Sequence, residues 1–188
     1  MFAKIVMVLV LSMGAAHLCC AGVEPDEFLD ERTGATVTVV HDPLVFPLER
    51  TLGAKNEQRD FVSLTAVVVD RSGQLQLFFV GYAWSTTDRL TKSLVLRTDE
   101  RQFELAPLQQ FPGELPDDRK LHAPTLWHAQ RAAYPVTREL LRELSGARSL
   151  KLALSSDPMD AGSEPQAFEV WSGQKSLSAF VDRIGAGQ

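Results

Sequence analysis

The chain has 188 residues, a formal net charge of −5 and two cysteines, Cys19 and Cys20. Its acidity argues against nucleic acid or an anionic membrane surface as the main partner, because both call for basic patches. The length suits one domain with its own hydrophobic core, and two adjacent cysteines cannot build a disulfide framework.

The chain opens as a secretory signal. Lys4 precedes the unbroken apolar run Ile5 to Leu11, then come Met13-Gly14-Ala15-Ala16 and Leu18-Cys19-Cys20-Ala21-Gly22. A positive start, a short apolar middle and small residues at the end have this meaning, and the run is shorter than the ~20 apolar residues of a membrane span. Cleavage after Ala21 places small Cys19 and Ala21 at the recognised positions. Residues 1–21 are then the signal peptide, and 22–188 form a single β-rich exported domain without cysteine. The rival is lipoprotein processing with the lipid on Cys20, but His17 and Leu18 stand where that pattern wants small residues. The expected location is periplasmic or secreted; under the rival, the chain is lipid-anchored to an envelope membrane. Arginines outnumber lysines and Asn56 is the only asparagine, which reads as the mark of a GC-rich bacterial genome.

Residues 23–34 are polar and end in the turn Thr33-Gly34. Thr36 to Val40 is β-branched and reads as a strand, stopped by Asp42-Pro43. Pro47 limits Leu44-Val45-Phe46 to an edge strand or loop. Phe61 to Val69 alternates, with Val62, Leu64, Ala66 and Val68 on one face. Asp70-Arg71-Ser72-Gly73 suits a type I turn, with Asp first and Gly fourth. Gln74 to Trp84 returns as a strand with Leu75, Leu77 and Phe79 on one face and Phe78, Val80, Tyr82 and Trp84 on the other. Two apolar faces predict a central strand, covered on both sides by sheet, helix or ligand.

Leu94 to Arg97 and Gln102 to Ala106 form a second hairpin. Pro107, Pro112, Pro116 and Pro124 make 107–124 a long irregular loop, a kind that is often functional. Leu126 to Tyr134 reads as a strand. Thr137 caps a short helix with Leu140, Leu141 and Leu144 on one face, ended by Gly146. Ser149 to Leu154 and Ala167 to Trp171 are strands. Leu177, Phe180, Val181 and Ile184 mark a final amphipathic helix. The fold class is mainly β: an antiparallel β-sandwich or curved sheet of about seven strands, with two short helices in the C-terminal half.

Chemistry-bearing motifs are sparse. No Gly-x-Ser-x-Gly elbow or phosphate-binding glycine loop occurs, and cleavage after Ala21 removes any thiol. His122 and His128 are six apart with Pro124 between, a spacing that suits zinc on neither a strand nor a helix, and His41 lies elsewhere. Asp157, Asp160 and Glu164 do not follow the twelve-residue calcium loop. No metal and no cofactor is expected. Ser85, Asp88 and His128 are the members from which a hydrolytic triad can be assembled, although hydroxyl and carboxylate side chains after a strand more often serve turns. The aromatic set Phe78, Tyr82, Trp84 and Trp127 is the most informative cluster. Such rings usually fill a core; if they bind a ligand or partner, Tyr82, Trp84 and Trp127 carry it, with Arg89 as a charged rim.

Three runs carry a resemblance: 26–38 from Asp26 to Thr38, Asp42-Pro43-Leu44-Val45-Phe46, and the hairpin end Trp84-Ser85-Thr86-Thr87-Asp88-Arg89. Over the first half of the domain the chain resembles a group of uncharacterised exported bacterial proteins. That resemblance implies an envelope location and assigns no activity or residue role. The functional expectation is a non-enzymatic envelope protein that binds a partner protein or small ligand. The alternatives are a hydrolase built from Ser85, Asp88 and His128, and a structural accessory lipoprotein.

Overall fold

In the computed structural model, which describes residues 24–48, 60–84, 93–124, 130–154 and 167–186, the alternating run after Phe61 becomes the longest strand. The strands are β1 (Asp26–Asp30), β2 (Ala35–Val39), β3 (Leu44–Leu48), β4 (Asp60–Arg71), β5 (Gln74–Trp84), β6 (Leu94–Arg97), β7 (Gln102–Leu105), β8 (Gln130–Pro135), β9 (Lys151–Leu154) and β10 (Ala167–Glu169). The helices are α1 (Arg138–Gly146) and α2 (Gln174–Gly185). The protein is mainly β, with two antiparallel sheets as the short connections require. Among the described residues ten strands replace the expected seven or so, and the signal region lies outside them.

The first sheet runs β1-β2-β4-β5-β8, with β3 also paired to β4. β2 and β3 share one edge of β4 end to end: β2 pairs with its 67–70 stretch and β3 with its 60–64 stretch. The break between them falls at Asp42-Pro43, where proline supplies no N–H to continue the ladder. Pro47 sits opposite Phe61 inside β3 and is tolerated there, since β3 lies at an edge. The second sheet runs β10-β9-β6-β7.

Two local expectations are corrected. The β4–β5 connection is not a type I turn around Asp70 to Gly73. Arg71 pairs with Gln74, and the two-residue loop Ser72-Gly73 has φ of 53° and 84°. Positive φ at both positions defines the type I′ turn, whose twist matches that of the flanking strands. Asp70 still contributes, since its Oδ1 accepts from the Gly73 N–H at 2.8 Å. The polar stretch before Thr33-Gly34 also holds a strand, β1. It pairs with β2 along its whole length and packs Phe28 inward, while charged neighbours face water.

The alternation of β4 and β5 creates two cores. Val62, Leu64, Ala66, Val68, Phe79 and Tyr134 face the second sheet and both helices, meeting Leu94, Leu96, Leu152, Leu141 and Phe180. Thr137 caps α1 as expected, its hydroxyl accepting from the Leu140 N–H at 3.2 Å. Gly81 has no side chain because a Cβ there would come within 3.1 Å of the Tyr134 ring.

On the opposite face Val37, Val67, Val69, Phe78, Val80 and Tyr82 are covered by the proline-rich segment 107–124, which supplies buried Leu115 and Leu121 with Phe111 and Ala123. The cover is thus an irregular segment rather than a sheet, helix or ligand. Its one helical turn, Asp118–Leu121, seats Leu121. Polar contacts fix it. The Thr65 hydroxyl donates to the Leu121 carbonyl at 3.0 Å, and His122 Nε2 lies 3.1 Å from the Val40 carbonyl. The Tyr82 hydroxyl and an Arg131 guanidinium nitrogen both donate to Asp118 Oδ1, at 3.0 and 2.9 Å. Arg131 also lies over the Phe111 ring, and Lys120 over Phe28.

Burial pushes the Tyr134 phenol well above its ordinary value; burial, then the hydrogen bond to Asp118, does the same for Tyr82. Because the folded values are raised, this contribution is complete below the ordinary tyrosine value of about 10 and is lost as pH rises beyond it. Urea unfolding is expected to show a midpoint that falls steeply above about pH 10, with a shallower fall in Tyr82→Phe. An unchanged slope in that variant contradicts the burial assignment.

Candidate functional site

Tyr82 is 2% exposed, its ring closed between the first sheet and the 107–124 segment. Trp84 ends β5 with its backbone paired to Phe61; its side chain lies outside the described part. Arg89 and Trp127 lie outside the described residues, as do Cys20 and the triad candidates Ser85, Asp88 and His128, and so do Asp157, Asp160 and Glu164. Among the described residues no three His, Cys, Asp or Glu side chains gather as a metal would require. His122 spends its Nε2 on the Val40 carbonyl, and His41 lies 3.6 Å from Asp26.

An aromatic residue that sequence reasoning passed over holds the exposed position instead. Trp171 follows β10 and is 68% exposed, the most open of the large hydrophobic side chains described. Its indole stacks on Phe61 with ring centroids 6.1 Å apart and planes within 18°. A groove of about 400 Å³ runs past it, lined by Asp42, Ser172, Lys175 and Ser176 among others. That volume is within the range of small-molecule sites. The alternation of β10 carried the missed signal. Phe168 is buried and Val170 packs against the core, so Trp171 falls on the outward beat, where a large aromatic does not fill the core.

The backbone beneath the ring is fixed. The Trp171 N–H donates to the Val45 carbonyl at 2.8 Å, and the Val45 N–H donates to the Ser172 carbonyl at 3.2 Å. This isolated bridge ties the segment between β10 and α2 to the free edge of β3. Gly173 then turns the chain into α2 with φ of 95°, and a Cβ there would lie 2.1 Å from the Pro43 carbonyl oxygen. No residue but glycine fits. The Gln174 side-chain amide donates to the Ala147 carbonyl at 2.9 Å, fastening the start of α2 to the end of α1.

Gly173 offers α2 no side-chain cap. Asp42, delivered by the break between β2 and β3, stands there instead and accepts from the Ser176 hydroxyl at 2.7 Å. A carboxylate is favourable at a helix start, where unsatisfied N–H groups carry partial positive charge. The groove therefore combines an open aromatic face, a carboxylate already engaged by the helix start, and a polar rim on a rigid frame.

No family model matches the chain, and no curated protein or solved structure matches it either. No helix among the described residues is long and apolar enough to cross a membrane.

The frame makes a direct prediction. Gly173→Ala is expected to lose about 2–4 kcal/mol of unfolding free energy, whereas Gly113→Ala, whose added Cβ meets nothing within 4 Å, stays within about 0.5. Urea titrations of the two variants check this, and equal losses contradict it.

Proposed function

We propose that this is a non-catalytic exported protein of the bacterial envelope, periplasmic or secreted, that binds a ligand or partner at the Trp171 groove. The exposed indole carries the reading. A tryptophan left mostly in water contributes little to the core, yet the chain holds it on paired backbone and an obligatory glycine. Amphipathic rings of this kind dominate binding energetics because they bring a large contact area at small entropy cost. The signal-like first 21 residues and the acidic charge support an envelope location with a neutral or protein partner rather than nucleic acid.

The test reads the site itself. Each of the three tryptophans gives one indole N–H resonance, and Trp171→Phe identifies the signal of interest. Envelope extract of the host, split into a small-molecule filtrate and a protein fraction, is added to the 15N-labelled chain. One fraction is expected to move the Trp171 resonance and the Ser172 and Lys175 backbone amides saturably, and Trp171→Ala to lose the amide response while keeping the wild-type thermal midpoint. If neither fraction moves it, the Trp171 groove is not the binding site.

A further inference from the structure

Resting on that reading, we infer that the groove takes the ring of a neutral sugar, with Trp171 as its stacking platform. The near-parallel planes of Trp171 and Phe61 are the first argument. Backed by a second ring, the indole is stiffened as a flat plate. A pyranose presents just such a plate with a face of C–H bonds, whose slight positive charge meets the negative face of the aromatic quadrupole. A quaternary ammonium group is recognised differently, by rings set at steep angles around the cation. Two rings within 18° of parallel do not form such a cage.

The charge at the helix start is the second argument. A helix beginning without a side-chain cap ordinarily attracts anions. Here the Asp42 carboxylate already occupies that end through Ser176, so phosphate, sulfate or an acidic sugar would meet like charge there, and the one Lys175 ammonium on the same rim no more than balances that carboxylate. A neutral ligand with many hydroxyls avoids that repulsion and can donate to the carboxylate.

The rim is the third argument. Ser172 and Lys175 line the same groove as Asp42, so a hydroxyl donor, an ammonium donor and a carboxylate acceptor edge it, while buried Ser176 keeps its hydroxyl on Asp42. That is the polar edge a sugar's outward hydroxyls need, placed beside an apolar floor, and it fixes orientation while the indole contributes contact area.

Maltotriose, cellotriose and chitotriose serve as neutral probes at roughly millimolar concentration, with choline as the cationic control, read on the Trp171 indole resonance. At least one sugar is expected to shift it saturably, together with the backbone amides of Ser172 and Lys175, and on those amides the affinity is reduced about tenfold or more in Trp171→Ala and much less in Trp171→Phe, which keeps an aromatic plate. A shift by choline and not by the sugars overturns the sugar assignment. So does silence toward all three sugars when the envelope protein fraction moves the resonance; the Trp171 groove then remains the binding site and only its ligand class is wrong. Silence toward every addition overturns both.

Discussion

Burial of β4 and β5 on both faces is the constraint on which the rest of the structure depends. A strand whose successive side chains are all apolar must have a layer on each side. The second sheet and the two helices cover one face. The other falls to 107–124, whose Leu115 and Leu121 are 5% and 0% exposed. Burying one such leucine contributes about 1.5–3 kcal/mol, whereas the half-exposed Arg131–Asp118 pair contributes at most about 1. Apolar contact therefore holds the segment down, and the polar contacts to Thr65, Tyr82 and Val40 set where it lies.

The same geometry builds the Trp171 groove. The ladder along β4 breaks at Pro43 because proline cannot continue it, and the break serves two purposes. It sends Asp42 to the start of α2, and it leaves Val45 on an edge where Trp171 and Ser172 can pair. Close approach of Pro43 then demands Gly173. Platform, carboxylate and helix start are consequences of one interruption in one ladder.

Much of the fold was legible in the sequence because its strongest signals are periodic. The alternation from Val62 to Val68, the two-faced run from Leu77 onward, the Thr137 cap and the Leu177-Phe180-Val181-Ile184 stripe each locate an element close to its observed bounds. β1 was hidden, since an edge strand with one inward ring shows little beyond polar residues. Asp70 and Gly73 suggest a four-residue turn, but strand twist favours the shorter loop with positive φ at Ser72 and Gly73. The Trp171 groove is less legible. Aromatic residues on β5 drew attention because they cluster in sequence, yet Tyr82 is enclosed by a segment 36 residues away, joined to it through Asp118. Trp171 is isolated in sequence, and only pairing with distant Val45 and stacking on distant Phe61 make it a platform.

The 107–124 segment is a wall of the core rather than a detachable loop. Leu121→Ala tests it most directly, by urea unfolding of the otherwise unchanged chain. Leu121 is fully buried against the second face of the first sheet. The expected loss is about 2–4 kcal/mol, with a single transition and faster amide exchange at Val67 and Val80. A loss under about 0.5 kcal/mol with those amides unchanged would show that the sheet stands without its cover, and would contradict the account.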